Sequence, residues 1–397
     1  MRRSTVVGLL AVPVALAGLY WLMLHGFLEL TIWLLAAAVI GLIVAAAWEG
    51  KHGHPKWAAL LVVGAVTIVG VQSAYAITLN SKLDNITKAP DTVLDKGHRP
   101  PRKPTEALNI LLMGSDDPAP NPDKPTVAEL LAHGGWTPGA YRSDTIMVLH
   151  ITADREHAYL VSIPRDSFVE IYDGKGKAHG KNKINAAFAE YGPFGTWRTV
   201  ENLSGLHLDH MAIIDYAGFR ELTTAVGGVD VYVPEDTYDT YQHQEWTKGW
   251  HHIEGDLALK YVRQRHGLTN GDFDRVDRQQ NFLRTLMAKM LRDDTIGNPA
   301  KLSDTLDAVT SHLTVDEGWS NGDLRSLVLS LRNLDTVNVK FLTLPLSHYE
   351  DIDPYGSVNI IDDAGAKQLW RAVTDDKVGK YIEAHPGDVL PDPKDVS

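Results

Sequence analysis

The chain has 397 residues, with 38 Lys and Arg against 50 Asp and Glu, a formal net charge of −12 and no cysteine. The acidic balance excludes a general nucleic-acid binder, whose footprint is a basic patch and a high pI. The missing thiols exclude disulfide staples, cysteine nucleophiles and zinc–thiolate sites, and a domain of this size buries enough core without disulfides.

Three apolar runs come first, at residues 6–24, 30–48 and 57–79. Each is near the ~20 residues that carry a helix across a ~30 Å hydrocarbon layer. Three successive runs also exceed the single apolar core of a cleaved leader. Arg2 and Arg3 precede the first run, and Lys51 and Lys56 lie in the second connection, whereas the first connection has neither Lys nor Arg. Positive residues stay cytoplasmic. The N-terminus is therefore expected inside, and everything after Leu79 outside.

Residues 80–106, punctuated by Pro90, Pro100, Pro101 and Pro104, read as a linker between a three-helix membrane anchor (1–79) and a folded domain (107–375). Within that domain, residues 108–113 read as a buried strand ended by Gly114. Residues 121–140, with several prolines, a glycine pair and Trp136, read as a long loop. Residues 144–151 and 157–163 read as a hairpin. Residues 186–191 and 196–203 read as helices ended by Gly192 and Gly205.

A strand at 211–214 precedes an amphipathic helix at 216–226, stopped by Gly227 and Gly228, and a further strand at 229–233. Residues 272–291 carry the longest helical pattern outside the apolar runs. Helices at 300–313, 324–331 and 363–373 and a strand at 337–344 complete the domain. The Pro- and Asp-rich end is expected to be disordered, within a flexible tail over 376–397. Strands interleaved with helices predict an α/β fold, a central mixed sheet flanked by helices on both faces, behind three transmembrane helices.

The chemistry concentrates at Arg263, Arg265, Asp272, Asp274, Arg275, Arg278, Gln279 and Gln280. Guanidinium forks match phosphate oxygens bidentately, so gathering them in an acidic chain points to a multiply anionic ligand. Arg275, Arg278, Gln279 and Phe282 share one helical stripe. The helix start also favours a bound phosphate. Arg263 and Arg265 can meet one ligand only if the chain is extended between them, and Gly267, Asn270 and Gly271 supply a break after them.

Two carboxylates follow the same logic. Asp116 ends Gly114-Ser115-Asp116 after the first strand, and Asp144 ends Arg142-Ser143-Asp144 at the start of the second. Carboxylates at neighbouring strand ends can hold Mg²⁺ together with substrate phosphate oxygens, although Asp and Ser are also ordinary turn formers. Arg165, in Ser162-Ile163-Pro164-Arg165-Asp166, closes the third strand. Lys183-Ile184-Asn185 sets a lysine and a helix N-terminus where both could meet an anion. His207 with His210, and His251 with His252, lack the flanking pattern of a zinc site. Ser115 lacks a nucleophile elbow.

Five segments in order resemble the LytR-CpsA-Psr family. They are Arg-Ser-Asp-Thr-Ile-Met from Arg142, Ser-Ile-Pro-Arg-Asp from Ser162, Lys-Ile-Asn-Ala-Ala from Lys183, Gly-Gly-Val-Asp-Val from Gly227, and Arg-x-Arg…Asp-x-x-Arg-x-x-Arg-Gln-Gln from Arg263. The resemblance implies a membrane-anchored phosphotransferase of Gram-positive-type envelopes. Such an enzyme attaches a glycopolymer from a polyprenyl-pyrophosphate carrier to peptidoglycan through a phosphodiester.

Carried over by position, Asp116 and Asp144 would bind Mg²⁺. Arg165, Arg263, Arg265, Asp272, Arg275, Arg278 and Gln279 would be the catalytic set, and Arg142, Lys183, Asn185 and Gln280 would bind substrate. Members often carry an arginine two residues after the first aspartate, where this chain has Pro118. The general base stays open among Asp166, Asp272 and Asp274. A lipid groove is expected among Ile146, Val148, Ile213, Phe219 and Leu222, residues that read equally well as core. The partners implied are the lipid-linked glycopolymer, the peptidoglycan acceptor and the membrane. Rival readings are a hydrolase of the same lipid pyrophosphate, a non-catalytic sensor of it, and a membrane-tethered transcription regulator.

Overall fold

The computed structural model describes residues 28–94, 97, 99–102, 105–116, 125–269, 271–292, 299–331 and 334–396. The chain divides into two units, residues 1–84 with 292–307 and residues 85–291 with 308–397. The first apolar run, 6–24, lies outside the described residues.

In the first unit, α1 (Leu28–Lys51) and α2 (Pro55–Leu83) occupy the second and third apolar runs. They pack on each other with Ala46 and Ala65 buried, while Ile40, Val44, Trp48, Val63, Val66 and Ile77 stand exposed. Among the described residues no helix is long and apolar enough to cross a membrane. The second and third expected spans are therefore not found there.

The second unit opens with β1 (Thr87–Ala89), β2 (Leu108–Ser115), α3 (Val127–Ala132), β3 (Ser143–Ile151) and β4 (Ala158–Ser162). A hairpin of β5 (Phe168–Tyr172) and β6 (Ala178–Lys183) leads into α4 (Asn185–Ser204). Next come β7 (His210–Asp215), α5 (Tyr216–Ala225), β8 (Val229–Val233), β9 (Thr237–Asp239), β10 (Gln244–Trp246) and β11 (Gly249–Ile253). Then follow α6 (Gly255–Arg263), α7 (Asp272–Arg292), α8 (Pro299–Thr310, whose residues up to 307 belong to the first unit), β12 (Leu313–Asp316) and α9 (Asn321–Ser330). The chain closes with β13 (Val339–Thr343), β14 (Leu346–Ile352), β15 (Gly356–Ile361), α10 (Asp363–Thr374) and α11 (Val378–Ala384).

The central sheet has seven strands in the order β1-β12-β7-β2-β3-β4-β13. Pairing of β2 with β3 and of β3 with β4 is antiparallel, whereas β2 with β7 and β4 with β13 are parallel. The mixed sheet is the expected one. Its two faces bury opposite parities of the same strands. Leu111, Ile146, Val148 and Ile213 pack with Phe188 and Trp197 of α4 and Leu369 of α10. Met147, Leu160 and Phe341 pack on the other face, with Leu283 and Met287 of α7 against them.

Several expectations fail at element boundaries. The helix expected over 300–313 stops at Thr310, and Leu313 instead starts β12, which lies antiparallel to β7. Part of the expected linker belongs to the sheet, since β1 runs parallel to β12 and Ala89 is fully buried. The end of the chain is ordered rather than flexible. Val396 is buried, and the Leu390 amide donates to the Phe341 carbonyl at 2.9 Å. Residues 127–132 form a helix inside the expected loop, held by a capping box between Thr126 and Glu129. Gly192 (φ 72°, ψ −169°), by contrast, is non-helical and breaks α4 into two helical segments, as expected.

Arg99, also from the expected linker, explains why that segment is fixed. It lies 5.0 Å over the Trp197 ring, and its Nη2 donates to Glu201 Oε1 at 2.7 Å. The fully buried Glu201 also accepts from Arg198 Nη1 at 3.0 Å. Removing one member of such a buried cluster strands the others in low dielectric. Glu201→Ala is expected to cost about 3–5 kcal/mol, read as a lowered midpoint in urea denaturation.

Candidate active site

One edge of the sheet gathers the ends of β2, β7, β4 and β13 and the start of β3. A shift in register between Gly114 and Ser115 sets Ser115 opposite Ser143. Just beyond, the Asp116 amide donates to the Arg142 carbonyl at 3.0 Å, and Asp116 Oδ1 accepts from the Arg142 amide at 2.6 Å. That double link pins Asp116 beside the start of β3, where Asp144 stands. Arg142 itself is exposed.

Asp144 is the centre of the site. Its Oδ1 accepts from Arg165 Nη1, and its Oδ2 accepts from the Tyr216 hydroxyl at 3.1 Å. Burial opposes its ionisation, but Arg165, Arg275 and the two hydrogen bonds outweigh that cost and hold its carboxyl below the usual carboxylate range. Burial and the nearby Asp144 push the Tyr216 hydroxyl strongly up, with a further push from Asp116, so it stays a donor. The Arg263 guanidinium lies 4.6 Å over the Tyr216 ring, a cation–π contact.

Arg165 also bonds in the other direction. Its Nε donates to Asp166 Oδ2 at 3.3 Å, and Lys183 Nζ lies 3.3 Å from Asp166 Oδ1. The Asn185 amide, at the start of α4, donates to the Arg165 carbonyl at 3.1 Å. Asn185 thus steadies the arginine through the backbone.

Two cavities flank this chain of charges. The first, about 250 Å³, is lined by apolar side chains such as Leu112, Met147, Ile214, Phe219 and Phe282, together with Asp144, Tyr216, Arg263 and Gln279. The second, about 910 Å³, is polar, with Asp166, Lys183, Arg265, Asp274, Asp277, Tyr349 and Asn359 on its walls. Arg263 and Arg265, expected at one ligand, therefore line different cavities. α6 ends at Arg263, and Gln264 has an extended ψ of 135°.

On α7, the expected residues split into lining and support. Gln279 lines the apolar cavity, accepting from Thr145 Oγ1 at 3.3 Å and donating to the Val262 carbonyl at 3.2 Å. Arg278 is fully buried, donating to Gln264 Oε1 and lying 4.9 Å over the Tyr261 ring. Gln280 donates to the Leu342 carbonyl at 3.1 Å and to Thr343 Oγ1 at 2.9 Å. Arg278 and Gln280 thus brace the helix and line neither cavity. Asp272 opens α7.

Of the residues expected to line a lipid groove, Phe219 does so. Ile146, Val148 and Ile213 point to the opposite face and are core, and Leu222 packs in the cluster of β8, α6 and α7. Their neighbours Met147, Ala212 and Ile214 line the pocket instead. Tyr216 and Asp277 escaped sequence reading. A tyrosine after a strand reads as core, and Asp277 was hidden between Arg275 and Arg278.

Among the described residues no group of three or more His, Cys, Asp or Glu gathers to form a metal cage. Asp116 and Asp144, both near the Tyr216 hydroxyl, are a pair of hard oxygen donors. Such a pair suits a cation that completes its shell with phosphate oxygens and water.

Burial and Asp274 push the Asp277 carboxyl up to about 6. The native state then holds this proton more tightly than the unfolded chain, whose aspartates titrate near ~3.9. Stability therefore falls as pH climbs from about 4 towards 6, and the deficit persists above that. Asp277→Asn removes the deficit. Urea midpoints are expected to show the variant more stable than the parent by on the order of 2 kcal/mol at pH 7.5, and equal to it near pH 4. Asp144 contributes with the opposite sign, adding stability above its unfolded pKa that is lost as pH falls through its lowered native value.

A profile of the LytR_cpsA_psr family matches residues 66–373. The cell wall biosynthesis protein LcpA of Corynebacterium glutamicum is 34% identical over 285 residues, covering 64% of this chain and 53% of that protein. The probable cell wall biosynthesis protein LcpB of the same organism is 34% identical over 313 residues, covering 78% of this chain and 70% of LcpB. The polyisoprenyl-teichoic acid–peptidoglycan teichoic acid transferase TagV of Bacillus subtilis is 32% identical over 205 residues, covering 50% of this chain and 51% of TagV. The chain thus spans about half the length of LcpA and of TagV. The crystal structure of B. subtilis TagV has the same fold, with a TM-score of 0.54 at 24% identity, over 70% of this chain and 99% of that one.

Proposed function

The chain belongs to the LytR_cpsA_psr family, and from that premise we propose that it is a phosphotransferase moving a glycopolymer from a polyprenyl-pyrophosphate carrier onto peptidoglycan. One observation carries this reading: an apolar pocket opens directly on Asp144, Tyr216 and Arg263. Such a pocket suits the first units of a prenyl chain, with the pyrophosphate at the charged end. The transferase name of TagV supports the same reaction class.

The reaction forms a bond from the acceptor oxygen to the sugar-bearing phosphorus and breaks the bond to the carrier phosphate, which leaves with the electrons and takes up the proton that the acceptor hydroxyl loses. Little covalent work falls to the protein, so positioning and charge do most of it. Arg165 and Arg263 offer forks to the phosphate oxygens, and Arg275 adds positive charge close to Asp144. Tyr216 keeps its proton and orients Asp144. Asp116 and Asp144 would hold Mg²⁺, whose charge offsets that of the pyrophosphate when bound.

The membrane part of the reading rests on α1 and α2. Their exposed apolar residues suit a non-aqueous surrounding, and the loop charges favour an outward second unit. A reporter enzyme fused after Leu83 is expected to be active only when that reporter works outside the cytoplasm. Cytoplasmic activity would overturn the topology.

The direct test supplies purified protein with a lipid-linked glycan donor and a peptidoglycan acceptor, and follows acceptor-bound product. Release of polymer into water at the same rate with and without acceptor would make the protein a hydrolase instead. Arg263→Lys is expected to lose nearly as much transfer as Arg263→Ala, on the order of 10²–10³-fold, because a point charge does not replace a planar fork. Full activity in the lysine variant would defeat the bidentate role.

A further inference from the structure

The polar cavity of about 910 Å³ is not used by the donor as described above, and its walls come from five parts of the fold. Asp166 follows β4 and Lys183 ends β6. Arg265 and Thr269 follow α6. Asp274 and Asp277 belong to α7, and Tyr349, Ser357 and Asn359 come from the β14–β15 hairpin. The cavity meets the donor side at Arg165, one guanidinium that touches both Asp144 and Asp166.

We propose that this cleft is the acceptor subsite and that it takes a neutral, hydroxyl-rich glycan, with Asp277 and Asn359 as hydrogen-bonding partners and Tyr349 as a stacking platform for a sugar ring. The proposal rests on the transferase reading and deepens it by naming where the second substrate sits.

Charge selects the ligand class. Lys183 and Arg265 face three carboxyl groups on the same walls, Asp166, Asp274 and Asp277. Lys183 is already 3.3 Å from Asp166. A cleft balanced in this way offers no excess of positive charge to a polyanion. A sugar, which donates hydroxyl protons and presents C–H faces, fits both the carboxyl groups and the ring. Tyr349 is 51% exposed, and its ring meets Phe273 edge-on with centroids 4.9 Å apart. One face of it is thereby fixed at the rim of the cleft.

Asp277 gives the second indication. It is partly buried on the wall of the cleft, and among the described residues it has no hydrogen-bond or ion-pair partner. A carboxyl on the cleft wall with no protein partner is open to hydroxyl donors from a ligand in the cleft.

The test uses the full protein with a neutral N-acetylglucosamine oligomer and with peptidoglycan glycan strands stripped of stem peptides. Calorimetric titration without donor is expected to show the oligomer binding, with affinity reduced tenfold or more in Asp277→Leu and in Tyr349→Ala. In the transfer assay the same variants are expected to raise the acceptor KM tenfold or more while the donor KM stays within twofold. Asp277→Asn, which keeps a hydrogen-bonding head, is expected to fall between parent and Asp277→Leu.

Unchanged oligomer affinity in both variants would overturn the subsite. So would competition by free stem peptides but not by stripped glycan, since the cleft would then be a peptide site. A parent protein that binds the oligomer yet consumes no lipid-linked donor would defeat the transferase reading and leave the glycan site standing.

Discussion

The arrangement turns on a guanidinium held between two carboxylates. Arg165 bonds Asp144 on one side and Asp166 on the other. Asp144 is too buried to stay ionised unaided, and Arg165 and Arg275 supply the compensation. Without them desolvation would push its carboxyl upward, as happens to Asp277, which lacks such partners. Two aspartates of the same domain are thus driven in opposite directions by their neighbours. The backbone makes this possible by ending several strands at one edge of the sheet, where extended chain gives way to loops that can carry charge.

Buried polarity then continues into the core. Arg278, Gln279 and Gln280 are all buried on α7, yet each finds an acceptor or donor on a different element: Gln264, Val262 with Thr145, and β13. Their hydrogen bonds fix the rotation of the helix about its own axis. That rotation decides that Gln279 faces the apolar pocket while Asp277 faces the polar cleft. A run of adjacent polar residues here is a locking device as much as a binding one.

Much of the fold was legible because its signals are local. Gly205, Gly227 and Gly228 mark helix ends with positive φ, and β8 follows directly from its valines. The motif segments also converge, with Asp116, Asp144, Arg165 and Arg263 at one site. What escaped depends on long-range packing. The sheet is covered on both faces, so β3 is apolar at both parities, and nothing in Ile146-Met147-Val148 says which side chain meets a pocket. Leu313 lies where a helical pattern runs into a short strand, and only pairing with β7 resolves the boundary. The expected linker and tail look disordered by composition. Arg99 on Trp197 and Val396 in the core are tertiary contacts that composition does not record.

The spacing of Arg263 and Arg265 illustrates the limit most sharply. Two arginines separated by one residue meet a single ligand only if the chain between them is extended. The chain does extend at Gln264, but that residue turns inward: its side chain is fully buried and accepts from Arg278. Arg263 is still the last helical residue of its helix, so the two-residue alternation that would put it on the same side as Arg265 in a fully extended chain does not operate. Arg263 stays on the last turn of α6 above Tyr216, and Arg265 passes to the polar cleft. Arginine charge is thereby divided between the apolar cavity and the polar cleft. Arg165, bonded to Asp144 on the wall of the apolar cavity and to Asp166 on the wall of the polar cleft, joins the two.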